Sequence, residues 1–280
     1  VSTVVFFHAH PDDEAIATAG TMAALSDAGH RVVLVTATRG ELGEVPDDLA
    51  GGESLADRRI VELASASAIL GVSRQTFLDY LDSGMAGEPT NTAPGSFAAA
   101  DVDEAAGALA RILEEESADV LVTYDEHGGY GHPDHVQVHR VGMRAADRAG
   151  TAVVYMATMN RDFVRNLSER LDPSDIEVPD RSPEEMENMG EPAERLTTDI
   201  DVTPWIDRKH RAMEVHASQI SETSFFLSMS DDVFSIVWGH EWYIRVRPPW
   251  TGPTEGHRET GFLLEAAADR RGEAPAAQAR

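Results

Sequence analysis

Cysteine is absent from the 280 residues, which excludes disulfides, thiolate metal ligands and cysteine nucleophiles together. Any metal must therefore be held by imidazole and carboxylate. Lysine is nearly absent too: Lys209 is the only one, and against 23 Lys and Arg stand 49 Asp and Glu, a formal net charge of -26. Nucleic acid and anionic membrane surfaces select a basic footprint, so neither is expected as a partner. Codon bias toward Arg, Ala, Asp and Glu, or adaptation to high salt, accounts for the acidic surplus, and neither bears on mechanism. No run of about 18 apolar residues is present. The first residues lack the basic flank and long apolar stretch of a signal peptide, and a cytoplasmic location is expected. Also missing are a GxGxxG after the first apolar run and the glycine spacing and lysine of a phosphate loop, which disfavours a dinucleotide cofactor.

What is present is a repeated alternation. Short apolar runs at 4–7, 31–37, 75–78, 120–124 and 152–157 suit strands covered on both faces. Between them lie helical patterns at 14–28, 54–70, 101–115 and 134–149, with Gly29, Gly71 and Gly150 where helices should stop. The order βαβαβαβαβ predicts an α/β fold, a doubly wound, mostly parallel Rossmann-like sheet. We expect a catalytic core over 1–160, a smaller C-terminal α+β portion over 161–250 that caps the site, and a tail over 251–280. Residues 83–100 read as a long loop, and 172–198 as an acidic irregular segment. Beyond it, 206–219 looks helical, and 233–238 and 242–246 look like strands.

Two motifs carry the chemistry: His10-Pro11-Asp12-Asp13-Glu14 and Gly131-His132-Pro133-Asp134-His135. Hydrolytic zinc is typically held by three His, Asp or Glu ligands with one position open, and His10, Asp13 and His135 supply such a set. The motifs follow the first and fourth predicted strands, which flank the crevice of an open parallel sheet where ligands collect. Asp12, between ligands but free of the metal, is the natural general base. His132 lies near the metal without binding it and, if protonated, would stabilise an oxyanion or donate to a leaving amine, with Asp134 orienting it. Acids at a helix start often act as simple N-caps, a role that suits Glu14 better than Asp12 or Asp13.

The other histidines carry weaker expectations. His8 suits either support behind the ligands or a satisfied core position, and His139 shares the face of His135 but recedes along the helix. His127 is expected in solvent, and His216 and His240 are candidates to line the pocket from the C-terminal half. Arg58, Arg59 and Asp82 lie near strand ends, where they would hold a hydroxylated substrate or form surface ion pairs.

HPDDE at 10–14 and YDEHGGYGHPDHV at 124–136 resemble the PIG-L type (LmbE-like) zinc N-deacetylases, which remove acetyl groups from N-acetylglucosaminyl conjugates. The resemblance implies one Zn2+ on His10, Asp13 and His135, with Asp12 as base and His132, oriented by Asp134, as electrostatic partner of the tetrahedral intermediate. It also implies Tyr130 as a mobile tyrosine at the oxyanion. TRGELGE at 38–44, Arg59, LDSGMAG at 81–87 and HASQ at 216–219 resemble the mycothiol branch, whose members deacetylate glucosaminyl inositol or cleave mycothiol S-conjugates. There Glu41, Arg59 and Asp82 match substrate-contacting positions. The expected partner is a small amino-sugar conjugate, and homo-oligomerisation is left open. The same donors accept Fe2+ or Co2+, so a non-haem Fe(II) oxygenase is the rival from another reaction class. A metal-retaining sugar-binding protein without turnover is the non-enzymatic one.

Overall fold

In the computed structural model, which describes residues 1–167, 171, 182, 187–221, 223–252 and 258–264, the apolar runs form the centre of a seven-stranded sheet ordered β3-β2-β1-β4-β5-β7-β6. β1 (Thr3–His8), β2 (Arg31–Thr36), β3 (Arg74–Phe77), β4 (Val120–Tyr124) and β5 (Val153–Thr158) run parallel. β7 (His240–Arg247) pairs antiparallel with β5, and β6 (Thr198–Asp201) antiparallel with β7. β1 and β4 are buried along their whole lengths, as the unbroken Val and Phe runs require of strands covered on both faces. Strand order reverses between β1 and β4, the two strands that carry the motifs.

Two groups of helices cover the sheet. α4 (Val102–Glu115) packs on α6 (Pro133–Ala149), while α2 (Ala19–Asp27), α3 (Leu55–Leu70) and α8 (Ile206–Glu214) pack together; the short α5 (Gly128–Gly131) precedes α6, and the short α7 (Arg161–Arg165) follows β5. α3 starts where Ser54 and Asp57 form a reciprocal capping box and stops at Gly71 in the left-handed region. α4 starts on the Asp101 side chain, which accepts from Glu104 N–H.

Several expectations are corrected. The helix expected over 14–28 is two helices, α1 (Asp13–Ala17) and α2, broken at Thr18 with φ -140°. The break exposes the N–H groups of Gly20 and Thr21, and the Glu241 carboxylate from β7 accepts both at 2.9 Å. A partner more than 200 residues away cannot be read from local spacing. Residues 233–238, expected as a strand, lie in helix α9 (Asp231–Trp238), which buries Val233, Phe234 and Val237 and exposes Ile236. That is a helical spacing in a short apolar run, where length and period do not discriminate. The helix expected over 206–219 ends at Glu214, because residues 216–219 turn inward toward side chains of the first half. β6 was not anticipated. Most of the 172–198 segment lies outside the described residues, as does most of the tail. Residues 258–264 of that tail nonetheless pack on the sheet, with Phe262 stacked on Tyr155 at 4.3 Å.

The lone lysine is core. Lys209 of α8 and Glu241 are each 1% exposed in their side chains and pair at 2.7 Å, and Tyr243 also donates to Glu241 at 3.1 Å. Removing one partner of a buried pair strands the other charge, so Lys209→Met is expected to destabilise by about 3 kcal/mol. Urea unfolding measures it, and an unchanged midpoint would show that the helix-terminal N–H groups satisfy Glu241 alone.

Candidate metal centre

His10, Asp12 and Asp13 occupy the turn from β1 into α1. Continued pairing beyond β1, with Ala37 N–H on the His8 carbonyl at 2.9 Å and Thr38 N–H on that of Ala9 at 3.0 Å, carries this turn past the sheet edge. His132 and His135 arrive from the neighbouring β4. After Tyr124 the chain turns on Asp125, whose Oδ1 accepts from His127 and Gly129 N–H at 2.9 Å. Gly128 in this turn has φ 63°, and a Cβ there would lie 2.5 Å from the Cβ of His135. Only glycine permits both the conformation and the approach. Pro133 then opens α6, with His132 as its cap.

Three side chains converge between the two turns. His10 Nδ1 lies 3.3 Å from His135 Nε2, His135 Nε2 lies 3.3 Å from Asp13 Oδ1, and His10 Nδ1 lies 3.5 Å from Asp13 Oδ2. The outer nitrogens settle which atoms carry hydrogen. His135 Nδ1 is 3.1 Å from the Gly128 carbonyl and His10 Nε2 is 3.1 Å from Asp134 Oδ2, and both oxygens only accept. Each neutral ring therefore donates outward and turns a bare lone pair inward, onto the other ring and a carboxylate. A cation, whether a proton or a metal ion, satisfies such an arrangement. Ligands at about 2.0–2.1 Å in tetrahedral geometry sit roughly 3.4 Å apart, so the set matches the spacing around a zinc-sized ion. Burial opposes charge on His10, yet hydrogen bonds to the carboxylates of Asp13, Asp134 and Asp82 hold its pKa well above the usual imidazole range.

The remaining expected residues surround this centre. The Asp12 carboxylate lies 3.2 Å from Arg59 Nη2, and burial raises its pKa to about 6 against the pull of Arg59. The His132 ring is 4.7 Å from His10 and 5.1 Å from His135, centroid to centroid. Burial, His10 and His135 push its pKa down to about 4. Asp134 N–H donates to His132 Nδ1 at 3.1 Å, which leaves the hydrogen of the neutral ring on Nε2. The Asp134 carboxylate does not orient His132. It bonds His10 and Ser83, accepting from Ser83 N–H at 3.0 Å and from the Ser83 hydroxyl. The half-exposed Tyr130 ring lies 4.9 Å from His135; burial, then Asp13, raises its phenol pKa, so it keeps its hydrogen.

Arg59, Asp82 and Glu41 each bond backbone groups beside the centre. Arg59 is 3% exposed and donates to the carbonyls of Gly40 and Pro11. Asp82 accepts from Leu42 N–H at 3.1 Å and Gly84 N–H at 2.9 Å, and Glu41 accepts from Asp82 N–H at 3.1 Å. Arg58 forms surface pairs with Glu53 and Asp48. His8 is buried and satisfied by the Tyr124 hydroxyl at 2.7 Å and Thr18 Oγ1 at 2.9 Å, with its pKa lowered to about 4 by burial. His139 bonds the Tyr124 carbonyl, His127 is exposed, and His240 pairs with Asp199 on β6. Glu14 does not cap α1: it is fully buried, accepting from Asp12 N–H at 3.0 Å and pairing with His216 at 2.6 Å. Ser83 and the Glu14–His216 pair escaped the sequence reading, because each acts through a side chain remote in sequence.

The chain matches the family model PIG-L, GlcNAc-PI de-N-acetylase, over residues 5–146. It is 41% identical over 261 residues, 88% of this chain and 89% of the relative, to a 1D-myo-inositol 2-acetamido-2-deoxy-alpha-D-glucopyranoside deacetylase of Acidothermus cellulolyticus. Among solved structures it is similar to the N,N'-diacetylchitobiose deacetylase of Pyrococcus horikoshii, with TM-score 0.53 and 21% identity over 94% of this chain and 88% of that one. A 4-carboxy-2-hydroxymuconate hydratase from Pseudomonas putida matches with TM-score 0.57 and 18% identity over 90% and 99%. The fold thus also occurs in a hydratase, so activity must be argued from the site.

Proposed function

The chain belongs to the PIG-L family of GlcNAc-PI de-N-acetylases, and from that membership we propose that it removes the N-acetyl group of a glucosaminyl inositol-type conjugate, with Zn2+ held by His10, Asp13 and His135. The carrying observation is the convergence of two imidazole lone pairs and a carboxylate at 3.3 to 3.5 Å, beside an Asp12 that binds no partner but Arg59 through its carboxylate among the described contacts. When bound, the ion supplies a Lewis acid for the acetamide carbonyl and makes water at the site more acidic.

The chain's own residues do the rest. Asp12 accepts a proton from the water that attacks the acetamide carbon, then returns it to the amine nitrogen as the C–N bond breaks, leaving acetate and a free amino sugar. His132 donates through Nε2–H, which its neutral tautomer already carries, and Tyr130 through its hydroxyl, both toward the carbonyl oxygen as charge develops there. Arg59, Asp82 and Glu41 shape the substrate pocket by fixing the loops at 40–44 and 80–84. No helix among the described residues is long and apolar enough to cross a membrane.

An amine-release assay across N-acetylglucosamine, its inositol conjugate, diacetylchitobiose and mycothiol S-conjugates, with and without chelator, tests the reading. Chelator-sensitive release, fastest on the inositol conjugate, is expected. Release unaffected by chelator, or none from any acetamide, overturns it, and a preference for S-conjugates reassigns the substrate.

A further inference from the structure

We propose that His216 is a positioning residue that holds Asp12 in place through Glu14, an inference that rests on the reading of Asp12 as the base. Asp12 has φ 118° and ψ -30°, a backbone conformation that a residue with a Cβ adopts only under strain. Such a conformation persists when several contacts over-determine it. Arg59 holds the Pro11 carbonyl and the Asp12 carboxylate. Ala15 and Ile16 N–H hold the Asp12 carbonyl at 3.0 and 3.2 Å. The last tether is Glu14 Oε2, which accepts the Asp12 N–H at 3.0 Å.

Glu14 is itself fully buried, and a buried carboxylate keeps its place only when donors satisfy it. His216 is the side chain that does so, with Nε2 at 2.6 Å from Glu14 Oε1. It is fully buried, follows α8 and makes no bond to His10, Asp13 or His135 among the described contacts. The turn that carries it is pinned from both sides. Ser218 donates through N–H at 2.9 Å and through its hydroxyl at 2.6 Å to Glu62 of α3. The Gln219 amide exchanges hydrogen bonds with the main chain of Glu44, donating at 2.8 Å and accepting at 3.2 Å. Glu62 lies one turn from Arg59 on α3, so a single helix anchors both Arg59 and the turn that carries His216. His216 thus reaches the reacting groups through the backbone of the base.

The test compares His216→Leu, which keeps volume but loses the donor, with His216→Gln, whose amide reaches Glu14. The leucine variant is expected to lose about 10²-fold in kcat, the usual consequence of misplacing a reacting group by about 1 Å. KM should stay within about 2-fold and the glutamine variant should recover most of the loss, the split that separates positioning from binding. Metal content, read by elemental analysis, should match the parent in both. Crystal structures of parent and His216→Leu supply a readout independent of turnover: Asp12 should leave the positive-φ region in the variant alone. If the leucine variant does not fold, His216→Asn, too short to reach Glu14 Oε1, carries the same comparison. Parental kcat in the donor-less variant, an unmoved Asp12, loss of metal, or a glutamine variant as impaired as leucine overturns the proposal. A parent that releases no amine instead overturns the role of Asp12 as base, while the crystallographic comparison still decides what His216 holds.

Discussion

Asp12→Asn protein is expected to bind metal as the parent does and to lose about 10³-fold in kcat, within the range that a positioned general base contributes. Asparagine is nearly isosteric, keeps an oxygen for Arg59 Nη2, which lies 3.2 Å from the carboxylate, and is among the residues that best tolerate positive φ. The backbone tethers at Asp12 use main-chain atoms and survive the change. What is removed is a carboxylate able to take a proton, so the loss should fall on kcat and spare KM. Amine release at saturating substrate, alongside metal analysis, checks it. A variant that turns over at the parental rate would transfer the base to another group.

How much of this was legible follows from how far apart the cooperating residues lie. The strand runs around β1 and β4 and the two motifs that follow them are local patterns, and they suffice to place His10, Asp13 and His135 at one crevice, because a parallel sheet brings strand ends of the same sense together. The capping box at Ser54 and the glycine stops were equally local. The break at Thr18 was not, since its cause is a carboxylate from β7. Nor was the division of labour at Asp134. Its place two residues after His132 suggested a contact between their side chains, but the main-chain N–H makes that contact and frees the carboxylate for His10. Arg59 and Asp82 looked like substrate contacts by type and position. In the structure both are buried and bond backbone groups of neighbouring loops, contacts that lie outside any local pattern. The observed open, mostly parallel sheet also removes the β-barrel setting usual for the oxygenase alternative, which shares only the donor types.

Removing, one at a time, two of the three carboxylates that face His10 should separate ligand from support. Asp13→Ala leaves His10 Nδ1 and His135 Nε2 facing each other at 3.3 Å without the carboxylate that reaches both, a pair of lone pairs that will take a proton rather than a divalent ion. Metal binding and amine release are expected to vanish together. Asp134→Ala leaves all three donors in place but removes the acceptor that keeps hydrogen on His10 Nε2, and it releases the hydroxyl and N–H of Ser83. Losing such an outer partner weakens metal affinity by about 10- to 100-fold. The site should therefore fill again when zinc is raised, and turnover should return with occupancy. Competition against a chromophoric chelator measures both affinities on folded protein. Parental affinity in Asp13→Ala would remove it from the ligand set, and loss of binding in Asp134→Ala that excess zinc does not reverse would make its carboxylate a ligand rather than a support for His10.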